Sequence, residues 1–189
     1  MVFSNAPRST SAYRRQMQIE DCLYENLLLR PYTSVSVSDL CHQLEISRKS
    51  FYNYFPDKDS CLRAIISRRL RKCSLTLTSL MPEKPTEDQV ITEFLNFWKK
   101  ERSFLDVLVR NNLLIQLIDQ SIRFLREEDK GILTHLNTPH LKTDEYVLAC
   151  YVNVHITILL QWYQGSFDIP TEEMVRKYKR LIYEPLISL

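Results

Sequence analysis

The sequence predicts an all-α fold, and three observations predict it. The 189-residue chain has only 2 glycines, too few for the tight hairpins of an all-β protein. Apolar residues recur every three or four positions, as in Leu62, Ile66, Leu70, Cys73, Leu77 and Leu80, which is one face of a helix. No stretch alternates apolar and polar residues for long enough to build a sheet. A hydrophobic content of 44% supports a core, in one large domain or two small ones.

The elements follow in order. Residues 1–10 read as a disordered basic arm. A first helix is expected over 12–30, with Ile19, Leu23 and Leu27 on one face and Pro31 helping to end it. A second begins at Ser36. Ser36 and Asp39 form the S-x-x-D variant of a capping box, and Leu40 and Leu44 face inward. A third begins after Ser47, a second N-cap, is anchored by Phe51 and Phe55, and is broken by Pro56. Asp57 then caps a long fourth helix, 58–80. Its apolar stripe lies opposite a basic face of Arg63, Arg68, Arg69, Arg71 and Lys72.

Pro82 and Pro85 mark a boundary. Beyond it helical patterns cover 86–101, 103–110, 112–128, 143–165 and 171–187, with Pro139 and Pro170 separating the last three. The final pattern sets Met174, Tyr178, Leu181 and Ile182 against Arg176, Lys177, Lys179 and Arg180. Tyr146 to Phe167 contains no charged residue. Asn153, His155, Thr157, Gln161 and Gln164 interrupt it, however, so a buried helix is expected and not a membrane span.

Several function classes are disfavoured. There is no nucleophile motif, Gly-rich phosphate loop or paired-carboxylate setting, so no enzyme and no cofactor are expected. His42, His135, His140 and His155 lack partners at metal-ligand spacing, so no metal is expected. The five cysteines, 22, 41, 61, 73 and 150, form no CxxC and read as reduced cytoplasmic thiols. The net charge is only +2 but is uneven. Residues 1–72 hold 12 Lys/Arg against 7 Asp/Glu, and 73–189 hold 13 against 16. A basic nucleic-acid-facing part joined to a neutral or acidic part gives that pattern.

The residues with the most chemistry lie between 36 and 58. Two short helix signals stand back to back, and the second carries Arg48, Lys49 and interleaved aromatics. That is the pattern of a helix-turn-helix, whose second helix enters the DNA major groove. Arg48 and Lys49 sit at the exposed start of that helix, where Arg can pair with guanine O6 and N7. Hydroxyls of Ser50, Tyr52 and Tyr54, and the Lys58 ammonium, can meet phosphates.

This segment resembles the DNA-binding domain of the tetracycline-repressor (TetR) family. The resemblance rests on Ser36-Val37-Ser38-Asp39-Leu40-Cys41, Ile46-Ser47, Ser50-Phe51-Tyr52-Asn53-Tyr54-Phe55 and Lys58, and covers roughly residues 10–75. It implies an N-terminal three-helix DNA-binding domain over 10–75. A helical effector-binding and dimerisation domain would occupy 76–189. The implied DNA-facing set is Ser36, Ser47, Arg48, Lys49, Ser50, Tyr52, Asn53, Tyr54 and Lys58. Two positions depart from the family pattern. Glu45 and Lys49 stand where relatives keep glycine, and Glu45 must adopt a left-handed backbone or make a different turn. Trp162-Tyr163-Gln164-Gly165, followed by Pro170-Thr171-Glu172-Glu173-Met174, is similar to an element of one C-terminal subclass. In it Gly165 is expected to stop one helix and Thr171 to cap the next.

The resemblance implies a bacterial cytoplasmic transcriptional regulator, expected to be a repressor. It would bind a palindromic operator in double-stranded DNA as a homodimer paired through its last two helices. A small-molecule effector would release it. The candidate pocket residues are Phe94, Trp98, Leu117, Tyr151, His155 and Trp162, although aromatics at helical spacing more often build core. A second reading is a co-regulator of the same family that acts through a protein partner.

Overall fold

The computed structural model describes residues 10–80, 83–128 and 144–184. All regular structure among them is helical. The helices are α1 (Thr10–Leu29), α2 (Val37–Gln43), α3 (Arg48–Tyr52), α4 (Lys58–Thr78), α5 (Glu87–Lys100), α6 (Arg102–Arg110), α7 (Leu114–Glu127), α8 (Glu145–Gln164) and α9 (Thr171–Tyr183). The basic arm, apart from Thr10, lies outside the described residues, as do Pro82, His135, Pro139, His140 and the end of the final helix read at 171–187. Two compact units divide between Ile66 and Ser67, inside α4. The uninterrupted stripe of that helix leaves no mark of the division in the sequence.

The first unit is built on α1, which packs against α2, and α2 against α3. Ile19, Leu23, Leu40, Phe51, Ile65 and Ile66 are fully buried, and each such side chain contributes about 1.5–3 kcal/mol of transfer free energy. A polar network fastens α1 to α2. The Asn26 amide donates to the Gln43 side-chain oxygen at 2.6 Å and to the Cys22 carbonyl at 2.8 Å. Arg30 donates to Asn26 Oδ1 at 2.6 Å. Asn26 is buried, so each of these bonds answers a group that would otherwise be stranded. Between α1 and α2 a 3-10 turn, Tyr32–Ser34, is present where the sequence reading placed no element.

In the second unit α5 packs against α8 and α9, and α7 against α6 and α8. Thr86 and Gln89 close a reciprocal capping box at the start of α5. The α4 basic face is largely held by carboxylates here. Arg69 lies 3.5 Å and Lys72 3.0 Å from Glu101, and Arg71 lies 2.8 Å from Glu128. The Arg69 guanidinium also stacks over Phe104 at 4.1 Å. Part of the positive excess counted in the sequence is therefore neutralised within the fold. Among the described residues one helix, α8, is long and apolar enough to cross a membrane. Its Leu148, Val152, Ile156 and Leu159 are buried in the bundle, and Val147, Cys150 and Val154 are exposed.

Three helices end in the same way with little help from glycine. After α2, Ile46 N–H donates to Cys41 O and Glu45 N–H to His42 O, with Glu45 at φ 51°. After α6, Leu113 N–H donates to Leu108 O and Asn112 N–H to Val109 O, with Asn112 at φ 56°. After α8, Phe167 N–H donates to Trp162 O and Ser166 N–H to Tyr163 O, with Ser166 at φ 58°. These are Schellman closures, in which the left-handed position normally holds Gly. Gly165 is the cap residue at which α8 ends, but at φ −72° it does not take the left-handed position, which falls at Ser166. Its missing Cβ matters for space, since one would lie 3.0 Å from Asp168 Oδ1. Thr171 does not cap α9. Pro170 holds the cap position without a side-chain bond, and Thr171 Oγ1 donates to Asn96 Oδ1 at 3.3 Å.

Candidate functional site

Both helices of the pair start at a serine cap. Ser36 Oγ accepts from Asp39 N–H at 3.1 Å, and the Asp39 carboxylate accepts from Ser36 N–H at 2.8 Å. The bonds that this carboxylate accepts from Ser36 N–H and from Ser36 Oγ, the latter at 2.9 Å, hold it below its ordinary range. Ser47 Oγ accepts from Ser50 N–H at 3.0 Å and starts α3. Glu45 takes the left-handed backbone between them. Of the two courses open to it, this residue accepts the strained one.

α3 is only five residues long. It ends before the Pro56 expected to break it, and Tyr54 N–H and Phe55 N–H both turn back to Phe51 O. Phe51 and Phe55 are buried, with ring centroids 6.0 Å apart. The opposite side presents Ser47, Arg48, Lys49, Tyr52 and Asn53 to solvent, and Ser36 is exposed as well. Ser50 and Tyr54 are half-buried. Arg48 donates to Tyr52 Oη at 3.2 Å and lies 5.9 Å from the ring centroid. One helical turn thus pre-orients a guanidinium against a rigid phenol.

Lys58 has a different station. Its ammonium donates to Tyr32 O at 2.7 Å and Val35 O at 2.6 Å, and lies 3.9 Å from the Tyr32 ring centroid. Burial lowers its pKa. Two of its three donors tie the 3-10 turn to the start of α4, where Asp57 Oδ1 accepts from Ser60 N–H at 2.6 Å. Tyr32 Oη hydrogen-bonds Asp59 at the same junction. Lys58 is first a tether of the fold, a role with no local signal in the sequence.

The second unit contains a cavity of about 380 Å³, within the size range of small-molecule sites. Phe94, Trp98, Leu117, Tyr151 and His155 line it. Trp162 does not. It is buried under the α8–α9 turn, where its Nε1 donates to Ile169 O at 3.0 Å and its ring meets Phe167 edge-on at 4.8 Å. Tyr178, Ile91, Phe124, Cys73 and Leu77 also line the cavity and were missed. Their helical stripes read as plain core. Buried Cys22, Cys41 and Cys73 have raised pKa values, chiefly from burial, and Cys73 is pushed up to about 12. This opposes thiolate chemistry at all three.

Comparison with known proteins now bears on these arrangements. Residues 25–65 match the family described as bacterial regulatory proteins, tetR family. Residues 86–184 match a transcriptional regulator C-terminal region of the same family. The HTH-type transcriptional regulator EthR of Mycobacterium tuberculosis is 37% identical over 76 residues, or 40% of this chain and 33% of the relative. EthR of Mycobacterium bovis matches to the same extent. The chain spans about a third of the length of these curated relatives. Two solved structures share the fold. A tetR-family transcriptional regulator from Streptomyces coelicolor has a TM-score of 0.55 and 18% identity over 90% of this chain and 81% of its own. The fatty acid degradation regulator FadR from Bacillus halodurans has a TM-score of 0.57 and 13% identity over 97% of this chain and 99% of its own. With a helix-turn-helix in the first unit and one family region covering most of the second, the chain belongs to the TetR family of transcriptional regulators.

Proposed function

We propose that the protein is a cytoplasmic repressor that binds a palindromic operator as a homodimer and is released when a small molecule enters the cavity of its second unit. Residues 10–75 serve as the DNA-binding domain and 76–189 as the effector-binding and dimerisation domain. One observation carries the DNA reading: the exposed face of α3, with Arg48, Lys49, Tyr52 and Asn53 outward over a fully buried Phe51. Arg48 reads bases and Lys49 adds a second cationic group at the groove. Ser36, Ser47, Ser50, Tyr52, Asn53 and Tyr54 position the backbone. Lys58 holds the turn above them and has one donor left for a phosphate.

The dimer reading is supported by the apolar residues that the last two helices leave uncovered in one chain. These are Tyr146, Val147 and Val154 on α8, and Leu181 and Tyr183 on α9. Two copies then place two α3 helices one DNA turn, or a multiple, apart. The effector reading is supported by α4, which carries Leu62 and Ile66 in the first unit and lines the cavity with Leu70, Cys73 and Leu77 in the second. A ligand that favours one position of this helix shifts the DNA-competent population.

DNA selected by the purified chain from random duplexes tests the reading. The expected outcome is an inverted repeat bound by a dimer, with affinity that falls steeply with salt. Selection of no sequence by a folded dimer would instead favour the co-regulator that acts through a protein partner.

A further inference from the structure

The cavity has room for a ligand of roughly a dozen or more non-hydrogen atoms, at about 30 Å³ for each water-sized group. Its walls are mostly aliphatic and aromatic, and one cluster of polar rings lies among them. There the His155 ring lies against Tyr151 at 3.9 Å between centroids, tilted by 38°, and meets Tyr178 edge-on at 5.4 Å. His155 Nδ1 lies 2.7 Å from the Tyr151 carbonyl. A carbonyl only accepts, so Nδ1 carries the proton. Burial lowers the His155 pKa to about 4. The ring is therefore neutral, and its remaining nitrogen, Nε2, is a bare acceptor at the cavity wall. Tyr178 is 4% exposed and borders the same cavity. Burial raises its pKa well above the ordinary phenol value, so it remains an O–H donor. It makes no hydrogen bond among the described residues.

Among the described lining residues there is no Lys or Arg, and the one carboxylate is Glu87. Glu87 is already engaged, by the Tyr183 hydroxyl and by Lys179 at 3.6 Å.

Building on the effector-site reading above, we propose that the cavity takes an uncharged, mainly apolar molecule with one hydroxyl-like head seated between His155 and Tyr178, and rejects the matching carboxylate. A hydroxyl satisfies both walls at once, donating to His155 Nε2 and accepting from Tyr178 Oη. A carboxylate meets a lone pair with no cation beside it, and a buried charge without a partner is strongly disfavoured. A quaternary ammonium finds aromatic faces but leaves both polar groups unanswered.

The experiment is calorimetric titration of the full chain at neutral pH with decanol below its solubility limit, and with decanoate and decyltrimethylammonium below their micelle concentrations. Decanol is expected to bind at least about tenfold more tightly than either ion, and His155→Phe and Tyr178→Phe each to remove most of that preference. The preference of the unaltered chain stands as a test even if a variant folds poorly. Equal or tighter binding of decanoate or the ammonium overturns the ligand class and leaves the effector site intact. If none of the three binds while the neutral dye Nile red still enters the cavity, the His155–Tyr178 head-group assignment is overturned alone. Failure of the dye as well overturns the effector-site reading on which it rests.

Discussion

The two units place their chemistry on opposite sides of their cores. In the first unit the exposed face of α3 carries the groups proposed to read DNA, and Phe51 behind it is buried. In the second unit the proposed ligand groups, His155 and Tyr178, face inward among apolar residues. An outward site can be altered without disturbing the core, whereas an inward site is the core. Function and stability should therefore separate in the first unit and stay coupled in the second.

The most direct way to break this comparison is a pair of changes one turn of chain apart. Phe51→Ala removes a fully buried ring and is expected to destabilise the first unit by about 3–5 kcal/mol. DNA binding is lost with the fold. Arg48→Ala removes an exposed side chain and should change stability by less than about 0.5 kcal/mol, while relaxing sequence choice by about 1–3 kcal/mol at one base pair. Urea unfolding alongside selection of bound sequences measures both. If Arg48→Ala unfolds the unit, or leaves the bound motif unaltered, the outward site is misassigned.

Lys58 tests the boundary between the two kinds of residue. Its ammonium is held by the Tyr32 and Val35 carbonyls, so Lys58→Met strands two acceptors and is expected to cost about 1–3 kcal/mol. If its third donor also meets a phosphate, the slope of log affinity against log salt flattens by about 0.9. Loss of stability with an unchanged slope assigns Lys58 wholly to the fold. Loss of slope with unchanged stability assigns it wholly to DNA.

The same contrast explains what could be read in the sequence. The caps Ser36, Asp39 and Ser47 and the anchors Phe51 and Phe55 were legible, because capping and aromatic spacing are local and their partners lie within four residues. The tethering role of Lys58 was not legible because its partners at Tyr32 and Val35 are more than twenty residues away and are backbone atoms, which every residue possesses. In the second unit Phe94, Trp98 and His155 stood out as aromatic, and they do line the cavity. Trp162 stood out equally and plugs a turn instead. Tyr178 looked like one more residue of an apolar stripe. Helical period tells which face is inward, but it does not tell where the interior is left unfilled.

Titration of His155 sharpens the inward half. Its folded pKa lies near 4, against about 6.5 for an unfolded chain. Between these values the unfolded chain binds the proton more readily, so stability falls as pH falls. The contribution is complete above about pH 6.5 and lost progressively down to about pH 4, amounting to about 3 kcal/mol at most. His155→Phe should flatten stability against pH across that window. An unchanged profile would mean that His155 is solvated and not part of a dry cavity wall.

The smallest expected effect concerns the helix ends, where the two units behave alike. Glu45 and Ser166 hold left-handed positions at φ 51° and 58° in Schellman closures that favour Gly. A side chain there crowds the following carbonyl by about 1–2 kcal/mol, and the greater freedom of glycine in the unfolded chain offsets part of that. Glu45→Gly and Ser166→Gly are therefore each expected to stabilise by up to about 1 kcal/mol, read from urea midpoints at constant slope. Their effects on function should differ even so. Glu45→Gly alters the turn that sets α3 and should change operator affinity, because α3 is reached only through that turn. Ser166→Gly should change neither affinity nor ligand preference. A larger functional effect at Ser166 than at Glu45 would mean that the α8–α9 turn, and not the α2–α3 turn, governs DNA binding.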